Sequence, residues 1–347
     1  MTGAAGFLGR TLIAELIRRE TLCGKQIHEI IGADLVAASG AGMTDQMSRA
    51  PDGPRVRTVV GPVTERLEEL FADPVDVVVH LAAAVSAACE ADVDLGMRAN
   101  VDTTRAVLDR ARAQAAAGGP LVTLTFSSSV AVYGADPAHP LPAVINETTL
   151  PLPQSSYGAQ KLICEQLITD YTRKGFVDGR VVRLMTVAIR AGAPNAAASG
   201  FVSGIVREPL AGLPATLPVD PGVRLAIASP QRTVEGILRV TEATRGAAPG
   251  QLTGRLPVNL PALTCTIADL LDALGEVGGE SARALVRSEP DPAIEAIVAS
   301  WPARFDNTRA ARLGLLPDPS VTAIVRRYAA EHPEAVGPGA PRAERHR

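Results

Sequence analysis

Apolar positions in the first half of the chain follow two rhythms. Residues 11–19 (TLIAELIRR) set Leu12, Ile13, Leu16 and Ile17 on one face, the spacing of an amphipathic helix. Short apolar runs flank such segments: HEIIGAD (28–34), RVRTVVG (55–61), VDVVVHLAAA (75–84), LVTLTFSSS (121–129) and GRVVRLMTV (179–187). The run at 75–84 is apolar almost without interruption, as in a parallel strand covered on both faces. Residues 92–116 and 155–174 predict long helices between the later runs. This β-α repetition predicts an α/β fold built on a doubly wound parallel sheet.

After about residue 188 the rhythm breaks. Pro, Gly and Ala crowd RAGAPNAAASG, and helical patterns return only at 264–275, 290–300 and 308–315. The pattern predicts a sheet domain over 1–187, with 225–248 returning to it, and a smaller mixed C-terminal substrate lobe over 188–224 and 249–331. The Pro/Gly-rich, charged end at 332–347 predicts a disordered tail.

Composition narrows the function classes. The 347 residues carry a net charge of −3 with Lys and Arg scattered, so no basic patch invites nucleic acid. No apolar run reaches the roughly 18 residues of a membrane span, and no secretory signal opens the chain. Cys23, Cys89, Cys164 and Cys265 form no CxxC and sit beside no His cluster, which predicts no metal site and four reduced, buried thiols in a cytoplasmic protein.

The opening MTGAAGFLGR holds a G-x-x-G-x-x-G turn feeding a helix. Gly3 permits a sharp turn, Gly6 lets the backbone approach a pyrophosphate, and Gly9 lets the helix pack closely, as in a Rossmann dinucleotide site. The helix N-terminus offers N–H groups to phosphates. Alone the pattern also suits a structural turn. Asp34, at the end of the next apolar run, adds to it: a carboxylate there accepts from both ribose hydroxyls of NAD and repels the extra phosphate of NADP. A strand normally precedes such a turn, yet only Met1 and Thr2 do so here. The expectation is a missing first strand, with about five or six further apolar residues upstream in the natural protein.

Tyr157 and Lys161 stand four apart in a predicted helix, hence on one face. An ammonium beside a phenol lowers the pKa of the phenol from about 10, which suits it to take a proton from a substrate hydroxyl. A surface pair is the plain alternative. Ser127, Ser128 and Ser129 end an apolar run, at the edge where such sheets bind ligands, or simply form a Ser-rich loop.

Together, T-G-x-x-G-F-x-G, the strand-end Asp34, HLAA, Asn100, SSS-x-x-VYG and Y-x-x-x-K resemble the extended short-chain dehydrogenase/reductases, the NAD-dependent epimerase/dehydratase family. The resemblance implies Ser129, Tyr157 and Lys161 as the catalytic set. For the cofactor, NAD, it implies Gly3, Gly6, Phe7, Leu8, Gly9, Asp34, Leu81, Ala82, Ala83, Asn100, Tyr157, Lys161, Thr186 and Val187. It also implies a homodimer packed through the helices at 92–116 and 155–174. EADVDLGMRANVDTTR, the stretch from SYGAQKLICEQ to VREPLAG, ASPQRTVEGIL and WPARFDNTRAARLGL, in a match that runs to about residue 330, look like the branch that oxidises the C2 hydroxyl of a four-carbon sugar acid, D-erythronate, to the 2-oxo acid. A nucleotide-sugar 4-epimerase or dehydratase shares the same core motifs and stays open as the alternative. A small acid needs donors, and Asn195, Ser199 and Arg207 are the candidates, beside Ser129 and Tyr157. A turn role competes for Asn195 and an exposed helix charge for Arg207. The chain departs from the family at Pro62, where an adenine-contacting Asp is usual, and at Met185 and Ala191, where Pro is usual.

Overall fold

The computed structural model describes residues 1–37, 53–192 and 199–333. Helix α1 (Phe7–Arg19) leaves the glycine turn directly and buries Gly9, Leu12, Ile13 and Leu16, the face its apolar spacing predicts. Strands β1 (Glu29–Asp34) and β2 (Arg55–Val60) pair in parallel, with Asp34 opposite Val60. Helix α2 (Val63–Leu70) follows. Strand β3 (Val77–His80), helix α3 (Thr103–Ala116), strand β4 (Thr123–Ser129), helix α4 (Ser156–Arg173) and strand β5 (Asp178–Leu184) continue the alternation, and the three strands are again parallel.

Met1 and Thr2 join the two halves of this sheet. Thr2 bridges Ala33 on one side and His80 on the other, both in parallel. Its N–H donates to Val79 O at 3.1 Å, Leu81 N–H donates to Thr2 O at 3.2 Å, and Ala33 N–H donates to Met1 O at 2.8 Å.

The expected strand at 179–187 is two strands. β5 ends at Leu184, and β6 (Thr186–Val187) belongs to another sheet. The chain crosses from the large sheet into the lobe at Met185, because the partner of β6 lies there. Helix α5 (Gly200–Leu210) and strand β7 (Ala215–Leu217) come next. Strand β8 (Arg224–Ala228) then pairs in parallel with β6, Ala228 opposite Val187. Helix α6 (Pro230–Glu242) returns to the large sheet, where Val234, Ile237, Leu238 and Val240 pack with Leu12, Ile13 and Leu16 of α1. Strand β9 (Val258–Asn259) extends that sheet beside β5, so its order is β2–β1–(Met1–Thr2)–β3–β4–β5–β9.

The helix expected at 264–275 begins later. Strand β10 (Leu263–Thr266), rich in β-branched Thr, pairs antiparallel with β8. Thr266 then starts helix α7 (Ile267–Arg283) with a capping box, its side chain and that of Asp269 each serving a backbone N–H of the other. Strand β11 (Val286–Ser288) pairs with β7. The expected helices near 290–300 and 308–315 are present at Pro292–Ala299 and Thr308–Arg312, and helix α8 (Val321–Glu331) closes the described chain. The lobe has its own apolar core: Val202, Ile205 and Val206 of α5 meet Leu270, Ala273 and Leu274 of α7 and Ile324 and Val325 of α8. Each such Leu or Ile contributes about 1.5–3 kcal/mol.

The expected tail lies mostly outside the described residues, as does Asn195. Among the described residues no helix is long and apolar enough to cross a membrane, and no cluster of His, Cys, Asp or Glu could hold a metal ion. All four cysteines are free, but Cys23 is exposed rather than buried. It sits in a left-handed turn after α1, its thiol donating to Thr241 O at 3.5 Å.

Candidate active site

The glycine turn has the geometry of a phosphate cradle. Gly3 has φ +72°, and a side chain there would begin 2.8 Å from the Ala82 nitrogen. At Gly9 it would begin 2.2 Å from the Gly3 oxygen. Both positions exclude a Cβ, so the helix start rests directly on its own turn. At Gly6 the nearest atom, the Gly3 oxygen, is 3.2 Å away, and no other lies close. Phe7 and Leu8 open α1, which has no side-chain cap and no acid in its first turn. That leaves its first N–H groups for a phosphate. Asp34 ends β1 and accepts from Ala5 N–H through one oxygen at 2.8 Å. One carboxylate thereby fastens the turn to the end of β1. These residues fit a dinucleotide.

A polar chain fastens the turn to the far side of the site. Thr2 Oγ1 accepts from Ala82 N–H at 3.2 Å and lies 2.6 Å from His80 Nδ1. His80 Nε2 lies 3.0 Å from Thr104 Oγ1, which donates to Asn100 O at 2.6 Å. His80 is fully buried, and that burial, with the Lys161 ammonium nearby, holds its imidazole down at about 3, so it is neutral. Leu81, Ala82 and Ala83 run between this chain and Ala84, whose N–H donates to Asn100 Oδ1 at 2.8 Å.

Asn100 interrupts the helix expected at 92–116. Residues Met97–Asp102 form a π-turn, which widens the helix at a polar buried residue. Its amide donates to Gln160 Oε1 at 2.8 Å, and Gln160 sits beside Lys161 on α4. Thr186 and Val187 lie on β6, beyond the end of β5.

Ser129, Tyr157 and Lys161 come together from β4 and α4. Ser155 caps α4, its oxygen accepting from Gly158 N–H at 3.1 Å. Gly158 has no room for a Cβ, which would begin 2.1 Å from the Ala131 oxygen. This contact presses the first turn of α4 against the loop after Ser129. The Ser129 side chain acts on the Tyr157 phenol, lowering its pKa, so the two stand as neighbours. Ser129 Oγ also accepts from Ala131 N–H at 3.1 Å. Lys161 Nζ lies 5.6 Å from the Tyr157 ring centroid and donates to Ser127 O at 2.7 Å.

The Tyr157 phenol lies above its ordinary value, not below it. Burial pushes it up to about 12, more than its interaction with Ser129 brings it down. Burial likewise brings Lys161 down to about 8, with Cys164, Cys89 and Glu165 acting the other way. Lys161 is buried and turned to a carbonyl, whereas Tyr157 keeps part of its surface exposed.

Four features escaped sequence reasoning. One is the Thr2–His80–Thr104 chain, and another is Gln160 beside Asn100. The third is Arg190, described below. The fourth lies under Ser129: Glu165 accepts from Ser128 Oγ at 2.5 Å and from Arg183 Nη2 at 2.6 Å, all three buried. Arg183 Nη1 donates to Tyr133 Oη at 2.6 Å. The spacing Tyr157, Lys161, Glu165 on one helix face was the available signal.

A family model described as the NAD dependent epimerase/dehydratase family matches residues 1–222. The chain belongs to this family. NAD is therefore its cofactor, in keeping with the glycine turn and Asp34. The D-erythronate dehydrogenase of Cupriavidus necator is 42% identical over 334 residues, covering 94% of this chain and 96% of that one. The D-erythronate dehydrogenase of Haemophilus influenzae is 39% identical over 331 residues, covering 94% and 97%. Among solved structures, one described as the nucleoside-diphosphate-sugar epimerase from Agrobacterium tumefaciens is 35% identical, with a TM-score of 0.85 over 96% of this chain and 94% of that one. The L-threonine dehydrogenase from Clostridium difficile, at 20% identity and a TM-score of 0.77, shares the fold.

Proposed function

We propose that this epimerase/dehydratase family member oxidises the C2 hydroxyl of D-erythronate, a four-carbon sugar acid, to the 2-oxo acid. The observation that carries this reading is near-full-length identity of about 40% to two D-erythronate dehydrogenases, running through the substrate half as well as the NAD half. In this reading Ser129 Oγ holds the substrate hydroxyl, and Tyr157 Oη takes its proton as the C2–O bond becomes a carbonyl. The Lys161 ammonium, fixed by Ser127 O, supports the phenolate and meets the nicotinamide ribose. When bound, NAD would supply the hydride acceptor for C2. Gly3, Gly6, Phe7, Leu8, Gly9 and Asp34 hold the pyrophosphate and ribose. Leu81, Ala82, Ala83, Asn100, Thr186 and Val187 line the rest of the cofactor. Ser199 and Asn195 are candidates to serve the substrate, while Arg207, paired with Glu208, stands behind them. In this reading residues 1–187 with 225–248 serve as the cofactor domain and 188–224 with 249–331 as the substrate lobe, although β6 and β8 pair within the lobe and β9 extends the large sheet.

The proposal includes a cytoplasmic homodimer. Exposed Val93, Leu95 and Ile163 on the helices near 92–116 and 155–174 give the dimer an apolar face. The free thiols suit a reducing compartment.

NADH absorbance with D-erythronate is the test. A rise with D-erythronate supports the reading, and none with any four-carbon sugar acid overturns it. The second reading, a nucleotide-sugar 4-epimerase, rests on the 35% identity to the Agrobacterium structure. It predicts UDP-sugar interconversion with no net NADH.

A further inference from the structure

Arg190 stands on the stretch that links the catalytic strand end to the cofactor turn. At one end Leu184 pairs directly with Ser129 across the large sheet. At the other, Arg10 of the first turn of α1 lies 3.8 Å from where a Gly192 side chain would begin. Arg190 falls between them, beyond the C-terminal ends of parallel strands, where such sheets bind ligands. The lobe anchors its backbone: Ala188 N–H donates to Ala228 O at 3.0 Å, and Ala188 and Ile189 are buried in the lobe core.

The two arginines here are not equivalent. Arg207 Nη2 pairs with Glu208 at 2.5 Å, and its Nη1 donates to Arg190 O at 2.9 Å. Its charge is matched and its fork is occupied. The half-buried Arg190 guanidinium donates through Nη2 to Ser199 O at 3.1 Å and lies 3.4 Å from Ser199 Oγ. Among the described residues it has no carboxylate partner, and residues 193–198 (APNAAA) contain no acid. Burial and the Arg207 cation both work against its charge. A guanidinium so placed gains most from a bidentate anion. Ser199 leaves α5 uncapped and stands against Arg190 instead, steadying that fork.

We propose that Arg190 binds the carboxylate of the substrate, and that Arg207 is a positioning residue that holds the Arg190 backbone and keeps Glu208 engaged. This rests on the sugar-acid reading above and sharpens it. The carboxylate carbon is bonded to C2, so gripping the acid at Arg190 sets the C2 hydroxyl toward Tyr157 and Ser129. Neutral polyols of the same length lose that grip.

Calorimetric titration in the presence of NADH tests binding without turnover, using D-erythronate and its uncharged amide as probes. R190Q is expected to weaken D-erythronate binding by about tenfold or more while changing amide binding by less than about threefold. R207Q is expected to weaken both ligands alike and by less. Guanidinium chloride is expected to restore acid binding to R190A, a rescue that a misfolded variant does not show. The proposal is overturned if R190Q binds D-erythronate as tightly as the unaltered protein, if it loses acid and amide equally, if R207Q shows the larger acid-selective loss, or if the unaltered protein binds no D-erythronate. Acid binding lost selectively in R190Q, with no NADH formed by the unaltered protein, sinks the oxidation reading and keeps the anchor.

Discussion

The two walls of the site treat charge in opposite ways. On the sheet side, buried Glu165 meets Arg183 at 2.6 Å and Ser128 at 2.5 Å, and Lys161 meets a carbonyl at 2.7 Å. On the lobe side, Arg190 and Arg207 have one described carboxylate between them, Glu208, which Arg207 holds. The sheet wall is closed on itself, so it can hold reacting groups in place. The lobe wall keeps a cation in reserve, so it can select an anion. The first arrangement suits chemistry shared across the family, and the second suits a particular substrate.

The comparison breaks most readily at Tyr157. Tyr157→Phe removes the proposed base and leaves the wall intact. We expect kcat to fall about 10²- to 10⁴-fold in the NADH assay, with an unchanged melting temperature. An unchanged rate removes Tyr157 from the mechanism. Because burial holds the phenol near 12, the rate of the unaltered protein is expected to rise with pH from neutrality, as the phenolate fraction grows.

Glu165→Gln tests whether the sheet wall is closed by charge. It leaves Arg183 buried without its counter-ion, an expected loss of about 3–5 kcal/mol in urea unfolding. Arg190→Gln, on the open wall, should cost far less stability. Equal losses would erase the distinction between the walls.

His80 sharpens it through pH. The folded protein holds its imidazole near 3, whereas the unfolded chain takes up that proton near 6.5. Between those values the unfolded state binds more protons, so stability falls as pH drops from 6.5 toward 3. Each pH unit costs at most about 1.4 kcal/mol from this group. His80→Asn should flatten that part of the curve, measured by urea unfolding from pH 4 to 7.

Pro62 carries the smallest effect. It starts α2 with no side-chain cap. Pro62→Asp supplies a capping carboxylate and the family's adenine contact, worth about 1 kcal/mol, or less than tenfold in the Kd for NAD. No change in either quantity would show that this edge of the site tolerates the departure.

Much of the cofactor side was legible because its signals are local. Gly3, Gly6 and Gly9 are spaced by one turn of chain, and Tyr157 and Lys161 by one turn of helix. The alternation of apolar runs and helices located the sheet, and errors fell where the chain changes sheets. Met185 and Thr264–Thr266 look like continuations of their neighbours until β8 offers a partner. Asn195 stays an expectation, because it lies outside the described residues.

By itself the sequence determined the fold class, the dinucleotide turn and the types of residue at the reacting centre, since each depends on neighbours within a few positions. Only the tertiary structure decided how those residues behave. Tyr157 is raised rather than lowered because burial outweighs its interaction with Ser129, while the Lys161 ammonium is turned to Ser127. Arg207 is matched and Arg190 is not because Glu208 stands beside one of them. Desolvation and charge pairing are set by groups far apart in the chain, and no spacing along it records them.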